Sequence, residues 1–245
     1  MASLDIYDLN VYSVPEGKNT VEEMAALAKR FGYAGIAITN PHDSCKPEKA
    51  SVSKGLEILS GVELRVDNAS RLHGLVGKYR SMVDIIVVRG GSENINRAAV
   101  ENPNVDILTS FGSTKDSGFN HVLARSANEN DVSISFDLAE FIGQRGGRRV
   151  RALSNFRKDL ELVRKYDVPF ILTANARCLY DMRAPRELIA LAGLFGMNRE
   201  EALSGICTNP QRIISKNRHS SKYVFDGVEI LDPSMDVVLD EGDGQ

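Results

Sequence analysis

Asn10 and Tyr12 stand two residues apart in the run Tyr7-Asp8-Leu9-Asn10-Val11-Tyr12-Ser13. The alternation of that run predicts a β-strand, and in a strand residues two apart point to one face. Two ligands at that spacing would share a metal ion, for which histidine is the usual choice. Here the pair is an amide and a phenol. Further polar groups close the other predicted strands: Asn40, His42 and Asp43, then Glu63 and Arg65, Arg89, Ser110, Asp137, and finally Asn175 and Arg177. That set is polar and basic, without the histidine-carboxylate cluster of a catalytic metal centre. Arg65, Arg89 and Arg177 stand as positive charge in place of a metal, or as partners of Glu63, Asp8 and Asp137. His42, Asp43 and Cys45 share one loop with no second cluster, which argues against a separate metal site there.

The strongest charge feature is the segment 143–165. It carries Arg145, Arg148, Arg149, Arg151, Arg157, Lys158, Arg164 and Lys165 against only Asp159 and Glu161. Gly143, Gly146 and Gly147 predict a flexible start, so that backbone and arginines could follow a phosphate chain. The plainer alternative is a solvated helix face. Lys115, His121 and Arg125 fall on a loop and the helix it enters, where backbone N–H groups favour phosphate. His121 and Arg125 are four apart and share a helical face. Lys115 is also the amine a barrel enzyme would use as nucleophile. Arg97, Lys216 and Arg218 are weaker candidates, equally well explained as surface charge.

These groups need elements to hold them. Thr20 and Glu23 make a capping-box pattern before a helix that Gly32 ends. Strands are predicted at 34–39, 57–66, 83–89, 105–110, 132–136 and 169–173. Helices are predicted at about 70–80, 92–100, 119–128 and 152–166. Three more helices follow, one opening at Pro185, one capped by Asn198 with Glu201, and one capped by Asn209. Strand-helix alternation builds a parallel sheet. Seven such units without a dinucleotide fingerprint predict an irregular TIM-like (β/α) barrel of about seven parallel strands, with its site at the strands' carboxyl ends. Residues 1–225 form that barrel domain, and 226–245 an acidic, flexible tail, with Val228–Leu231 as a possible short edge strand.

The bulk properties are those of an ordinary globular chain: 245 residues, 42% hydrophobic and 26% charged. No apolar run approaches the ~20 residues of a membrane span, and the first residues do not read as a signal peptide. Cys45, Cys178 and Cys207 fit neither a disulfide framework nor a zinc site, so a reduced cytoplasm is the expected compartment. The net charge of −3 is uneven. Residues 226–245 hold seven acidic side chains and no lysine or arginine, which leaves 30 basic against 26 acidic residues, net +4, in residues 1–225. A polyanionic partner is therefore compatible with the composition.

Several stretches carry a resemblance. Asp8-Leu9-Asn10-Val11-Tyr12-Ser13, Ile38-Thr39-Asn40-Pro41-His42-Asp43, Gly61-Val62-Glu63 and Ala174-Asn175-Ala176-Arg177 resemble the strand ends of the polymerase-and-histidinol-phosphatase family of metal-dependent phosphoesterases. In that family these runs read Asp-Leu-His-Val-His, Ile-Thr-Asp-His, Gly-Val-Glu and Ser-Asp-Ala-His. Its framework is matched here and its histidine ligands are not, which implies a lost metal site. A degenerate phosphoesterase is the alternative reading.

A second resemblance covers nearly the whole chain. The runs Thr109-Ser110-Phe111, Lys115 to Arg125, Asn155-Phe156-Arg157, Arg164-Lys165-Tyr166 and Asp181 to Leu188 are similar to the ribonuclease P protein component 3 family, which includes the thirty-kilodalton eukaryotic subunit. That resemblance implies a subunit of the ribonucleoprotein that removes the 5′ leader from precursor tRNA. It implies that the RNA, with magnesium, does the cleavage and that this chain holds no catalytic residue and no metal. It also implies that a small α/β partner subunit binds beside it. The candidate RNA contacts are then Arg89, Arg97, Lys115, His121, Arg125, Arg145, Arg148, Arg149, Arg151, Arg177, Lys216 and Arg218.

Overall fold

Seven strands run parallel in the order β1 (Tyr7–Val11), β2 (Gly35–Ile38), β4 (Leu56–Leu64), β5 (Ile85–Arg89), β6 (Ile107–Thr109), β7 (Ser133–Asp137) and β8 (Phe170–Thr173). A short antiparallel strand, β3 (Ser51–Ser53), hairpins onto β4 from within the polar loop expected at 40–55. The structure is a computed structural model that describes residues 5–53, 55–111, 117–220, 223–225 and 228–229. The expected acidic tail, apart from Val228–Glu229, lies outside the described residues, as does Lys115. Val228–Glu229 pairs with Tyr223–Phe225 in a separate two-stranded sheet, not with the edge of the barrel.

The strands alternate with helices, as the sequence pattern requires: α1 (Val21–Phe31), α2 (Ala69–Arg80), α3 (Glu93–Val100), α4 (His121–Glu129), α5 (Ala139–Ile142) and α6 (Gly146–Tyr166). Then come α7 (Pro185–Ala192), a 3-10 turn (Gly193–Phe195), α8 (Arg199–Ile206) and α9 (Thr208–Ser220). The Thr20–Glu23 capping box is present, and Gly32 ends α1 with φ +87°. Two expectations need correction. The glycines at 146 and 147 are not a flexible lead-in, because α6 begins at Gly146. Asn209 is not a cap, since α9 starts at Thr208 and the Asn209 amide donates instead to the Phe170 carbonyl at 2.7 Å.

Two apolar layers hold the barrel. The larger lies between strands and helices and includes an aromatic cluster of Phe136, Phe141, Phe156 and Phe195. Phe136 and Phe195 stack there with centroids 5.4 Å apart. The smaller is the barrel interior: Leu9, Ala37, Leu59, Ile85, Val87, Ile107 and Ile171. Helix α9 closes this interior at the strands' amino ends, inserting Ile213 and Ile214. Its polar side chains hold the strand starts. Asn217 donates to the Asp84 carbonyl and to Asp106, and Gln211 donates to the Asp5 carbonyl. Arg212 and Lys216 pair with Asp131, and Arg218 with Glu57.

The other mouth is polar. The pairing of β1 with β2 shifts register between Asp8 and Val11, so three residues of β1 answer two of β2. Such an extra residue re-aims the side chains that follow it. Leu9 packs in the interior, and beyond the shift Tyr12 also reaches inward, to Glu63. Between β1 and β8 the barrel closes through side-chain and backbone bonds: the Asp8 carboxylate accepts the Thr173 hydroxyl and the Ala174 N–H, and the Tyr12 N–H donates to the Ala176 carbonyl at 2.9 Å.

Candidate functional site

At the carboxyl ends of β1, β4 and β8 the side chains close a ring on one another. The Tyr12 hydroxyl donates to Glu63 Oε1 at 2.9 Å. Glu63 Oε2 takes Arg65 Nε at 2.6 Å. Arg65 continues to Glu16 at 2.8 Å, and Glu16 also receives Arg177 at 2.6 Å. The Arg177 guanidinium lies 4.3 Å from the centre of the Tyr12 ring, a cation–π contact that completes the circuit. Burial pushes the Glu16 carboxyl up, but hydrogen bonds from Arg65 and Arg177 outweigh it and hold the group below the usual carboxylate range. Gly17 is required beside it, since a Cβ there would stand 2.7 Å from the Tyr12 carbonyl oxygen and 2.9 Å from that of Arg177. Of the expected arginine partners, Glu63 is therefore taken by Arg65. Asp8 instead bonds Thr173 and Ala174, and Asp137 bonds Asn175.

Beside the ring, at the ends of β5 to β8, opens a cleft of about 660 Å³ under the amino-terminal half of α6. Arg89 and Arg148 stand exposed at its rim, and Arg177 separates it from the ring. Its floor holds Ser135, Asp137 and Asn175. Ser135 pairs in register with Ile171, an interior residue, so its hydroxyl faces into the barrel. Ser135 Oγ and Asn175 Oδ1 are buried and have no hydrogen-bond partner among the described residues. Three residues at these strand ends adopt left-handed backbone: Gly91 (φ +123°), Ser110 (φ +48°) and Asn175 (φ +49°). For non-glycine residues this conformation is uncommon and tends to gather at functional sites.

The cleft also gathers acids. Burial first, and the Glu140 charge second, raise the Asp137 carboxyl above its ordinary range. Burial and the Asp159 charge raise Glu140, with Arg89 opposing. Arg89 and Arg148 thus share the cleft with the carboxyls of Asp137, Glu140 and Asp159.

Arg89, Arg148 and Arg177 are the expected site residues that the structure brings together. Arg145 lies exposed at the start of α6, and Arg149 is spent on the carbonyls of Phe141 and Ile142. Arg151 is exposed one position beyond Val150 on the same helix. His121 opens α4 exposed, and Arg125 one turn later lies over the Tyr166 ring at 5.5 Å. Arg97 pairs with Glu101 at 2.7 Å on α3. Lys216 and Arg218 sit at the opposite mouth, bound to Asp131 and Glu57. The sequence reading did not single out Ser135, Glu140, Gln144, Asn155 or Asp159, which also line the cleft. The signal for two of them, Asn155 and Asp159, was helical spacing, since 148, 152, 155 and 159 share one face of α6.

The fold is a (β/α) barrel, an architecture shared with solved phosphatases. Histidinol phosphate phosphatase from Lactococcus lactis, solved with zinc, histidinol and phosphate, superposes with TM-score 0.53 over 80% of this chain and 95% of its own, at 10% identity, a likeness of fold alone. The chain belongs to the family described as RNase P subunit p30, whose profile matches residues 5–222. Ribonuclease P protein component 3 of Methanococcoides burtonii is 53% identical over 98% of this chain and all of that one. A chain from an archaeal ribonuclease P solved with mature tRNA is 26% identical and superposes with TM-score 0.74 over 97% of this chain and 100% of its own.

A zinc ion like that of the phosphatase does not fit the ring. Both Glu63 oxygens already accept hydrogen bonds, the inward group of β1 is a phenol, and the Arg177 guanidinium lies against that phenol. Among the described residues no cluster of three or more His, Cys, Asp or Glu is arranged to hold a metal.

Proposed function

We propose that this chain is a protein subunit of ribonuclease P with no catalytic group or metal of its own. It supports the RNA that removes the 5′ leader from precursor tRNA, together with a small α/β partner subunit, in the cytoplasm; magnesium serves the RNA. The observation that carries this reading is the ring Tyr12–Glu63–Arg65–Glu16–Arg177. It engages, in internal pairs, Tyr12, Glu63 and Arg177, three of the positions in the runs that resemble a phosphoesterase metal site. The archaeal ribonuclease P chain that superposes along the full length supports the assembly. No described helix is long and apolar enough to cross a membrane.

The RNA contacts proposed are Arg89, Arg148 and Arg177 at the cleft, with Arg145, Arg149, Arg151, His121 and Arg125 around it. Guanidiniums suit this use because their planar fork matches phosphate oxygens. Reconstitution tests the reading: the chain and its partner are added to the cognate RNA, and precursor-tRNA cleavage is followed at moderate magnesium. Stimulation over RNA alone is expected, and its absence refutes the assignment. Stoichiometric zinc or manganese in the purified chain, with chelator-sensitive phosphatase activity, refutes the non-catalytic part.

A further inference from the structure

We propose that the cleft at the ends of β5 to β8 receives one unstacked nucleotide of a single-stranded RNA segment, its base on the floor and its phosphate at the rim. This inference rests on the ribonuclease P reading. The cleft is distinct from the ring, which is filled by its own side chains, and the volume of about 660 Å³ falls in the range of pockets that hold a whole small ligand. A bare phosphate would engage the rim and leave the floor untouched.

The floor calls for a polar ligand. Ser135 is 2% exposed and Asn175 9% exposed. Each has a polar side-chain atom without a hydrogen-bond partner among the described residues. Buried polar atoms are nearly always satisfied, so these two ask for donors and acceptors from outside. The edge of an unstacked base supplies both. Phe111, Ala152 and Phe156 give the same space an apolar wall against which a base can lie.

The rim calls for an anion. Arg89 and Arg148 are exposed and donate no hydrogen bond to a described residue. The basic start of α6 extends the charge beyond the cleft through Arg145 and Arg149, which favours a nucleotide within a strand over a free one.

The test compares wild type with Ala152→Trp, which fills the cleft, and Asn155→Ala, which removes a lining amide without adding bulk. Val150→Trp, on the exposed side of the same helix, is the control. Each full chain, with its partner, is bound to the cognate RNA. Affinity is measured, and 2′-hydroxyl acylation is mapped nucleotide by nucleotide. Wild type should protect one or two nucleotides that Ala152→Trp exposes again, with affinity lower by about tenfold, the scale of one lost stacked base. Asn155→Ala should weaken the same protection, and Val150→Trp should leave it intact.

If wild type stimulates cleavage but no nucleotide responds to Ala152→Trp or Asn155→Ala, the cleft proposal falls and the subunit reading stands. Without RNA binding by wild type, the subunit reading falls first. In a second arm, 5′-AMP, 5′-GMP, 5′-CMP, 5′-UMP and inorganic phosphate are titrated separately into the full chain. Binding of a mononucleotide at least tenfold tighter than phosphate, abolished in Ala152→Trp, supports a nucleotide site. Equal binding of phosphate overturns it. Mononucleotide binding without any RNA footprint overturns the RNA source.

Discussion

The hydroxyl of Tyr12 is hydrogen-bonded at 2.9 Å to Glu63, 51 positions away. The bond spans the barrel mouth from β1 to β4. It exists because the register shift in β1 turns Tyr12 inward, and because Glu63 shares the inward phase of β4 with Leu59. Tyr12→Phe removes the donor and leaves Glu63 Oε1 buried without it. A buried acceptor stripped of its partner costs about 1–3 kcal/mol. Denaturant unfolding should show that loss with an unchanged m-value. Wild-type stability in the variant would mean that the ring does not hold the mouth together.

Asp8 makes the seam sensitive to pH. Burial lifts its carboxyl to about 6, although hydrogen bonds from Thr173, Asn10 and Ala174 pull the other way. The folded-state value exceeds the unfolded one, so folding favours the protonated group. Its contribution is full below the unfolded value near 4, and it fades as pH rises toward 6. The span of about two units corresponds to about 3 kcal/mol. Carboxyl titration by carbon NMR should place the Asp8 midpoint near 6; a midpoint at or below 4 contradicts the burial argument.

At the opposite mouth Ile213 and Ile214 of α9 close the barrel interior. They are 6% and 5% exposed and touch a cluster made only from strand residues. Truncating one buried isoleucine to alanine costs about 2–5 kcal/mol. Ile213→Ala should therefore lower Tm by several degrees in this chain while leaving RNA affinity unchanged. A chain that stays as stable would show that α9 merely rests on the barrel.

Much of the barrel was readable from residue pattern. The seven strands recur as short apolar runs, and Thr20 with Glu23, Asn198 with Glu201, and Pro185 mark helix starts that the structure keeps. The cleft was less legible, because its parts are far apart in sequence and only the barrel brings them together. Ser135 reads as an ordinary strand residue until its register with Ile171 turns it inward. Lys216 and Arg218 read as surface charge free for RNA, yet α9 crosses the strand starts, where Asp131 and Glu57 await them. Even the glycines before Arg148 read as slack, whereas the helix already includes them.

That placement separates two sets of basic residues by what their loss should do. Arg148, Arg149 and Arg151 crowd the start of α6 by the cleft, so replacing all three by alanine should weaken RNA binding at every sequence tested. Each lost phosphate contact should also flatten the plot of log affinity against log salt by about one unit. Lys216→Ala with Arg218→Ala should leave that slope unchanged and lower stability instead. Its cost is modest, about 0–1 kcal/mol for each half-exposed pair, because solvent screens such ion pairs. Binding isotherms from 50 to 200 mM salt, run beside thermal melts of the same proteins, decide the matter. If the slope instead falls in the second pair and holds in the first triple, RNA approaches from the α9 side and the assignment of the mouth is reversed.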